Sequence, residues 1–133
     1  MKTTRIMIVS ALIVGSGFSL PETPVQQPGV KRTDLQRHDL SAIGREVIQA
    51  RVELAPGVVF GKHTHPGDEV IYMLDGSLEY DIEGQPRITL RAGDVLFIPA
   101  RTIHSAQNTG SSNGAELATY VVEKGKPLLT MVK

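Results

Sequence analysis

The stretch Gly57-Val58-Val59-Phe60-Gly61-Lys62-His63-Thr64-His65-Pro66-Gly67-Asp68-Glu69 confines what this chain can fold into. It sets two imidazoles one residue apart, and successive side chains of a strand alternate between its faces. On a strand, His63 and His65 therefore form a pincer. Pro66-Gly67 is a turn pair that can bend the chain and return the Glu69 carboxylate beside the rings. Three nitrogen and oxygen donors then converge. A fourth candidate, His104, lies far along the chain, with Asn108 after it. Only a rolled sheet, barrel or sandwich, could bring it to the other three.

The rest of the pattern supplies such a sheet. From Glu46, the residues Ile48, Ala50, Val52 and Leu54 alternate with Gln49, Arg51 and Glu53, which describes a half-buried strand ending at Pro56-Gly57. Val70 to Leu74 runs to a turn at Asp75-Gly76; Leu78, Tyr80 and Ile82 then alternate with Ser77, Glu79 and Asp81 before a second turn at Glu83-Gly84. Ile88 to Leu90 and Val95 to Ile98 add two short strands. Asn108 to Gly114 is a turn cluster, and Glu116 to Glu123 a final strand with Val121 and Val122 at its apolar end. No stretch shows a sustained helical apolar period. Strands spaced by roughly 8–12 residues predict an all-β chain, an antiparallel double-sheet jelly roll.

At 133 residues the chain has length for one modest core. Met1-Lys2-Thr3-Thr4-Arg5 leads into the apolar run Ile6 to Val14 and then Gly15-Ser16-Gly17-Phe18-Ser19, the order of a secretory signal peptide, so 1–19 is read as a leader and the protein as periplasmic or secreted. The run is too short and too broken to serve as a membrane span. Residues 20–45 read as a proline-rich linker and N-terminal arm, 46–123 as the barrel and 124–133 as a tail. Lys+Arg and Asp+Glu both number 14, so no global field gathers nucleic acid or an anionic membrane. A small-molecule partner fits that balance.

Imidazole and carboxylate without thiolate suit a divalent transition metal: Fe, Mn, Zn, Ni or Cu. Three neutral imidazoles and one carboxylate would leave the site a single net positive charge and, in an octahedral ion, two open positions for water, oxygen or a bidentate ligand. The candidate ligands are His63, His65, Glu69 and His104.

Gly57, His63-Thr64-His65, Glu69 and Gly76 stand at the spacing of the first cupin motif, and Gly93, Pro99, His104 and Asn108 at that of the second. The sequence thus resembles a small single-domain cupin over approximately Glu46 to Glu123. The resemblance implies a jelly-roll barrel of six to eight strands holding one divalent metal through those four residues at its wider mouth. It also implies a range of chemistries, among them dioxygenase, decarboxylase, isomerase and lyase, as well as binding without turnover. One position departs from the motif: Arg101 stands where glycine is usual, so it either occupies a strained turn or the turn differs locally.

Arg101 is a candidate to hold a substrate carboxylate through two N–H bonds. Glu69 in exchange with the metal, or a pocket tyrosine such as Tyr72 or Tyr80, are candidate bases. Gln49, Arg51, Glu53, Met73 and Tyr120 are candidate wall residues, although strand position favours packing or exposure for each. His38 reads as a surface residue. Three functions remain open: a metal-dependent enzyme on a small organic acid, phenol or enol; a binding or sensing module; and a structural metal, which usually has closed tetrahedral geometry and often cysteine. Edge strands invite association, and the resemblance implies frequent dimers, so the Val30–Leu40 arm or the Pro127–Val132 tail could cross to a partner in a homodimer.

Overall fold

Alternation with a period of two builds the structure. Along Arg45–Leu54, the residues Glu46, Ile48, Ala50, Val52 and Leu54 are buried, while the residues between them are half-buried. The computed structural model describes residues 27–133. Residues 1–19, read above as a leader, and the proline-rich residues through Gln26 lie outside the described residues.

Ten strands follow in order: β1 (Val30–Asp39), β2 (Arg45–Leu54), β3 (Val59–Thr64), β4 (Gly67–Asp75), β5 (Ser77–Ile82), β6 (Ile88–Arg91), β7 (Val95–Ile98), β8 (His104–Gln107), β9 (Gly114–Glu123) and β10 (Thr130–Met131). They form two five-stranded sheets, β1-β2-β9-β4-β7 and β10-β3-β8-β5-β6. Every pairing between neighbours is antiparallel. Eight of the strands, β2 to β9, fall between Arg45 and Glu123, in line with the expected jelly roll. No helix occurs among the described residues. The inner faces meet in one core around Leu54, Ile71, Met73, Leu78, Ile82 and Val122, each no more than 1% exposed.

Both flanks of the barrel join its sheets. The segment read as an arm is β1, an edge strand paired with β2 from Val30↔Leu54 to Asp39↔Glu46. Its register slips between Asp34 and Gln36, and its residues are nearly all exposed. A bulge on an edge strand erases the alternation that marks a strand in sequence. At the other end, Thr130 and Met131 pair with Thr64 and His63 of β3, and the Val132 N–H donates to the Lys62 carbonyl at 2.9 Å.

Gly67 opens β4 rather than completing a turn; the bend is at Pro66. A Cβ at Gly67 would lie 2.0 Å from the Val121 carbonyl oxygen of β9, so only glycine lets the two strands approach there. Gly76 takes φ 65° directly after β4, as the reversal into β5 requires. Replacing Gly67 with alanine is expected to lower unfolding free energy by about 3 kcal/mol, the upper range for overpacking, because the opposing atoms are backbone. Urea denaturation measures it; an unchanged midpoint would show that β9 yields.

Candidate metal centre

Antiparallel pairing of β3 with β8 sets His63 directly opposite His104. His65 follows β3 with the same facing as His63, and Glu69 lies on the inner face of β4 between Ile98 of β7 and Tyr120 of β9. The four side chains meet inside the barrel, His63 4%, His65 5%, Glu69 3% and His104 3% exposed. One nitrogen from each histidine lies within 4.8 Å of the others. Glu69 Oε2 is 3.2 Å from His104 Nε2 and 3.4 Å from His65 Nε2. The structure thus brings the three histidines together, with the Glu69 carboxylate beside two of them.

Main-chain carbonyls orient all three rings. His63 Nδ1 lies 2.7 Å from the Gly61 carbonyl, His65 Nδ1 2.7 Å from that of Leu128, and His104 Nδ1 2.9 Å from that of Thr102. A carbonyl can only accept, so each Nδ1 carries a proton, and in the neutral form of each ring the lone pair is then on Nε2. His65 Nε2 and Glu69 Oε2 are buried with no hydrogen-bond partner. Lone pairs and a carboxylate oxygen aimed at one another without a donor call for a cation between them. The donor set fits a borderline divalent metal, which the Nε2 atoms of His63, His65 and His104 and the Glu69 carboxylate would hold.

Electrostatics keep these donors ready. Burial, then the neighbouring His104, pushes the His63 pKa down to about 4, against the bond to Gly61, so the ring is neutral at pH 7. Burial pushes the Glu69 carboxyl up, and only donation or positive charge at the His104 and His65 Nε2 atoms brings it below its usual range, so with the ring protons on Nδ1 a cation among the Nε2 atoms is what would keep it ionised. Tyr120 packs on His65 with ring centroids 4.7 Å apart, and the Arg32 guanidinium lies 5.5 Å from the Tyr120 ring centroid.

Another buried carboxyl group, beside Glu69 in the interior, was not among the sequence candidates. Glu116, 6% exposed on the inner face of β9, accepts a hydrogen bond from the hydroxyl of Tyr80, which reaches across from β5 and is 1% exposed. Burial and the charge of Glu69 push Glu116 up to about 8, against the Tyr80 bond. Burial also raises Tyr80 and Tyr120, so both phenols stay protonated. The inward parity shared by Glu116, Ala118, Tyr120 and Val122 is the signal that would have found it.

Other candidates stand elsewhere. Tyr72 is 47% exposed on the outer face of β4, because alternation places it opposite to Glu69, Ile71 and Met73, and it is no part of a pocket wall. Gln49, Arg51 and Glu53 also face outward, where Gln49 bonds Gln36 and Thr119, and Arg51 bonds Asp75. Met73 and Tyr120 do face inward. His38 is exposed. Asn108 is a structural latch: its Nδ2 donates to the Leu54 and Ser112 carbonyls and its Oδ1 accepts from the Gly110 N–H. Arg101 does occupy a strained turn, at φ 58°.

Replacing His63 and His104 together with alanine is expected to remove bound metal while far-UV circular dichroism stays β-like; elemental analysis and the spectrum check it. Loss of the β spectrum would show that metal is required for folding. Glu116 gives a second expectation. Its folded pKa, about 8, exceeds its ordinary 4.5, so its stabilising contribution is full below pH 4.5 and is lost as pH rises through 8. His63 works oppositely below pH 6.5, where the folded state resists protonation. The window from 6.5 to 8 therefore isolates Glu116: stability should fall there by about 1.4 kcal/mol per pH unit, and Glu116→Gln should abolish that slope in denaturant titrations.

The chain is similar to several known proteins. The family model described as "Cupin domain" matches residues 50–122. Germin-like protein 1 of Brassica napus is 35% identical over 82 residues, 58% of this chain and 40% of that protein. The oxalate-binding protein of Thermotoga maritima is 35% identical over 74 residues, 55% of this chain and 60% of that protein. The chain thus spans only about half the length of these curated relatives. Among solved structures, KdgF from Halomonas sp. superposes with a TM-score of 0.62 at 21% identity, covering 74% of this chain and 84% of that one. The lyase for DMSP named DddQ, from Ruegeria pomeroyi, gives 0.59 at 22%, covering 65% and 43%. At such identities the structures share the fold alone. With more than half its length matched by the family and the two motifs folded onto one buried cluster, this chain belongs to the cupins.

Proposed function

We propose that this cupin holds one divalent transition metal through His63, His65, Glu69 and His104, and that the metal takes up a small organic acid or phenolic or enolic ligand. The observation that carries this reading is the tautomer set by three backbone carbonyls, which leaves three Nε2 lone pairs and an orphaned carboxylate oxygen facing one another. Bound there, the metal would supply Lewis acidity and open positions for a chelating oxygen ligand. The chain's own residues do the rest. The barrel excludes water, and Glu69 supplies the negative charge.

The enzymatic form of this reading uses the metal to polarise the ligand or present it to oxygen, with Glu69 the only ionised carboxylate at the cluster available to hold a proton. A second form, capture without turnover, is favoured by similarity to a relative named an oxalate-binding protein. The order of residues 1–19 supports export as part of the proposal.

Elemental analysis of the purified protein, followed by oxygen uptake and product analysis over a panel of oxo-acids, dicarboxylates and phenols, separates the two. Turnover that disappears with the metal and returns on reloading is the expected result for an enzyme. Metal-dependent binding without product supports capture, and ligand binding indifferent to metal removal overturns both.

A further inference from the structure

The candidate metal centre is closed to solvent. His65 Nε2 and Glu69 Oε2 are buried, and the four donor residues are each only 3–5% exposed. A cation reaches such a cluster, and leaves it, only when part of the wall gives way. Three of the donors sit in walls that cannot give without breaking a sheet. Glu69 lies between β7 and β9. His104 is paired with His63 on one side and with Ile82 on the other. The Nδ1 atoms of His63 and His104 bond to carbonyls two residues back in their own stretch of chain, Gly61 and Thr102. The cavity of about 80 Å³ that touches His104 therefore meets a ring held by ladders on both sides.

His65 is held differently. It stands just past the end of β3, outside any strand, and the carbonyl that orients its ring comes from Leu128, 63 residues along the chain. Leu128 belongs to the segment that leaves β9 after Glu123 and returns to β3 as β10. That strand has two residues, both exposed. It is kept in place by the pairing of Thr130 and Met131 with Thr64 and His63, by the Val132 N–H on the Lys62 carbonyl, and by half-buried Leu128 packed against the core. Gly125, at φ 79° with nothing within 4 Å of where a Cβ would stand, gives the segment a permissive joint at its root. Lys126, Pro127 and Thr130 form one wall of a cavity of about 240 Å³ that reaches His65. Of the elements that touch the donors, this one has the fewest ladder bonds and the least buried apolar surface to give up on opening.

We propose that residues 126–133 are the gate through which the metal enters and leaves. When β10 lifts from β3, the Leu128 carbonyl leaves with it, the His65 ring is freed to swing, and one corner of the cluster opens. When β10 seats again, the carbonyl fixes the ring with Nε2 inward. This rests on the reading above, in which the cluster holds a divalent metal. Opening is a transient excursion from the closed state, so a change in the gate alters entry and exit by the same factor. The segment therefore sets the rate of metal exchange and leaves the affinity to the four donors.

The chain contains no cysteine, so Thr64→Cys combined with Thr130→Cys puts the only two thiols on directly paired residues of β3 and β10, where oxidation clamps the gate. The full-length protein is loaded with zinc and mixed with an excess of a chromophoric chelator. The clamped form should release zinc at least about tenfold more slowly than the wild type and than the same variant reduced and alkylated, with equilibrium zinc affinity unchanged. Leu128→Ala, which removes the apolar anchor but keeps the carbonyl, should speed release about tenfold. A clamped form that releases zinc as fast as the wild type, or a Leu128→Ala rate equal to the wild type, overturns the gate while the metal reading stands. A wild type that takes up neither zinc nor another divalent metal overturns that reading instead.

Discussion

Three main-chain carbonyls, those of Gly61, Thr102 and Leu128, decide the chemistry at the centre of this barrel. Each fixes a ring proton on Nδ1, and the sum of the three choices is a set of Nε2 lone pairs pointed at one spot. Carbonyls in these places exist only when β3, β8 and the C-terminal strand are all seated, so the donor set depends on the completed fold. The converse also holds. A buried polar atom left without a partner costs about 1–3 kcal/mol, and His65 Nε2 and Glu69 Oε2 are both in that condition. A cation that satisfies them would return that free energy to the native state, linking metal binding to stability.

The cluster was legible in the sequence because its geometry reduces to parity and spacing. His63 and His65 share a strand face, and the motif spacing carries His104 to the same place once two sheets roll together. Parity also shows why Tyr72 failed as a wall residue: it is an odd number of residues from Glu69, so burying one exposes the other. Glu116 escaped because a glutamate in a strand reads as outward, whereas its parity with Tyr120 and Val122 turns it in. The strand β1 escaped because a bulge and an edge position leave no alternation to detect. The role of Leu128 had no signal at all, since every residue offers a carbonyl and only the folded tail shows which one meets His65.

Two of the buried carboxyl groups, Glu69 and Glu116, differ in charge state, and the difference follows from their neighbours. Glu69 faces the imidazole Nε2 atoms, where protons or a bound cation would offset the penalty of burial and favour its ionised form. Glu116 has only the Tyr80 hydroxyl for a partner and feels the charge of Glu69, so burial prevails and the proton remains. Were both ionised, a divalent cation among the donors would be fully neutralised and the centre would lose its attraction for an anionic ligand. With Glu116 neutral, one carboxylate would oppose the two positive charges of a divalent cation, leaving the centre an excess that attracts an anionic ligand.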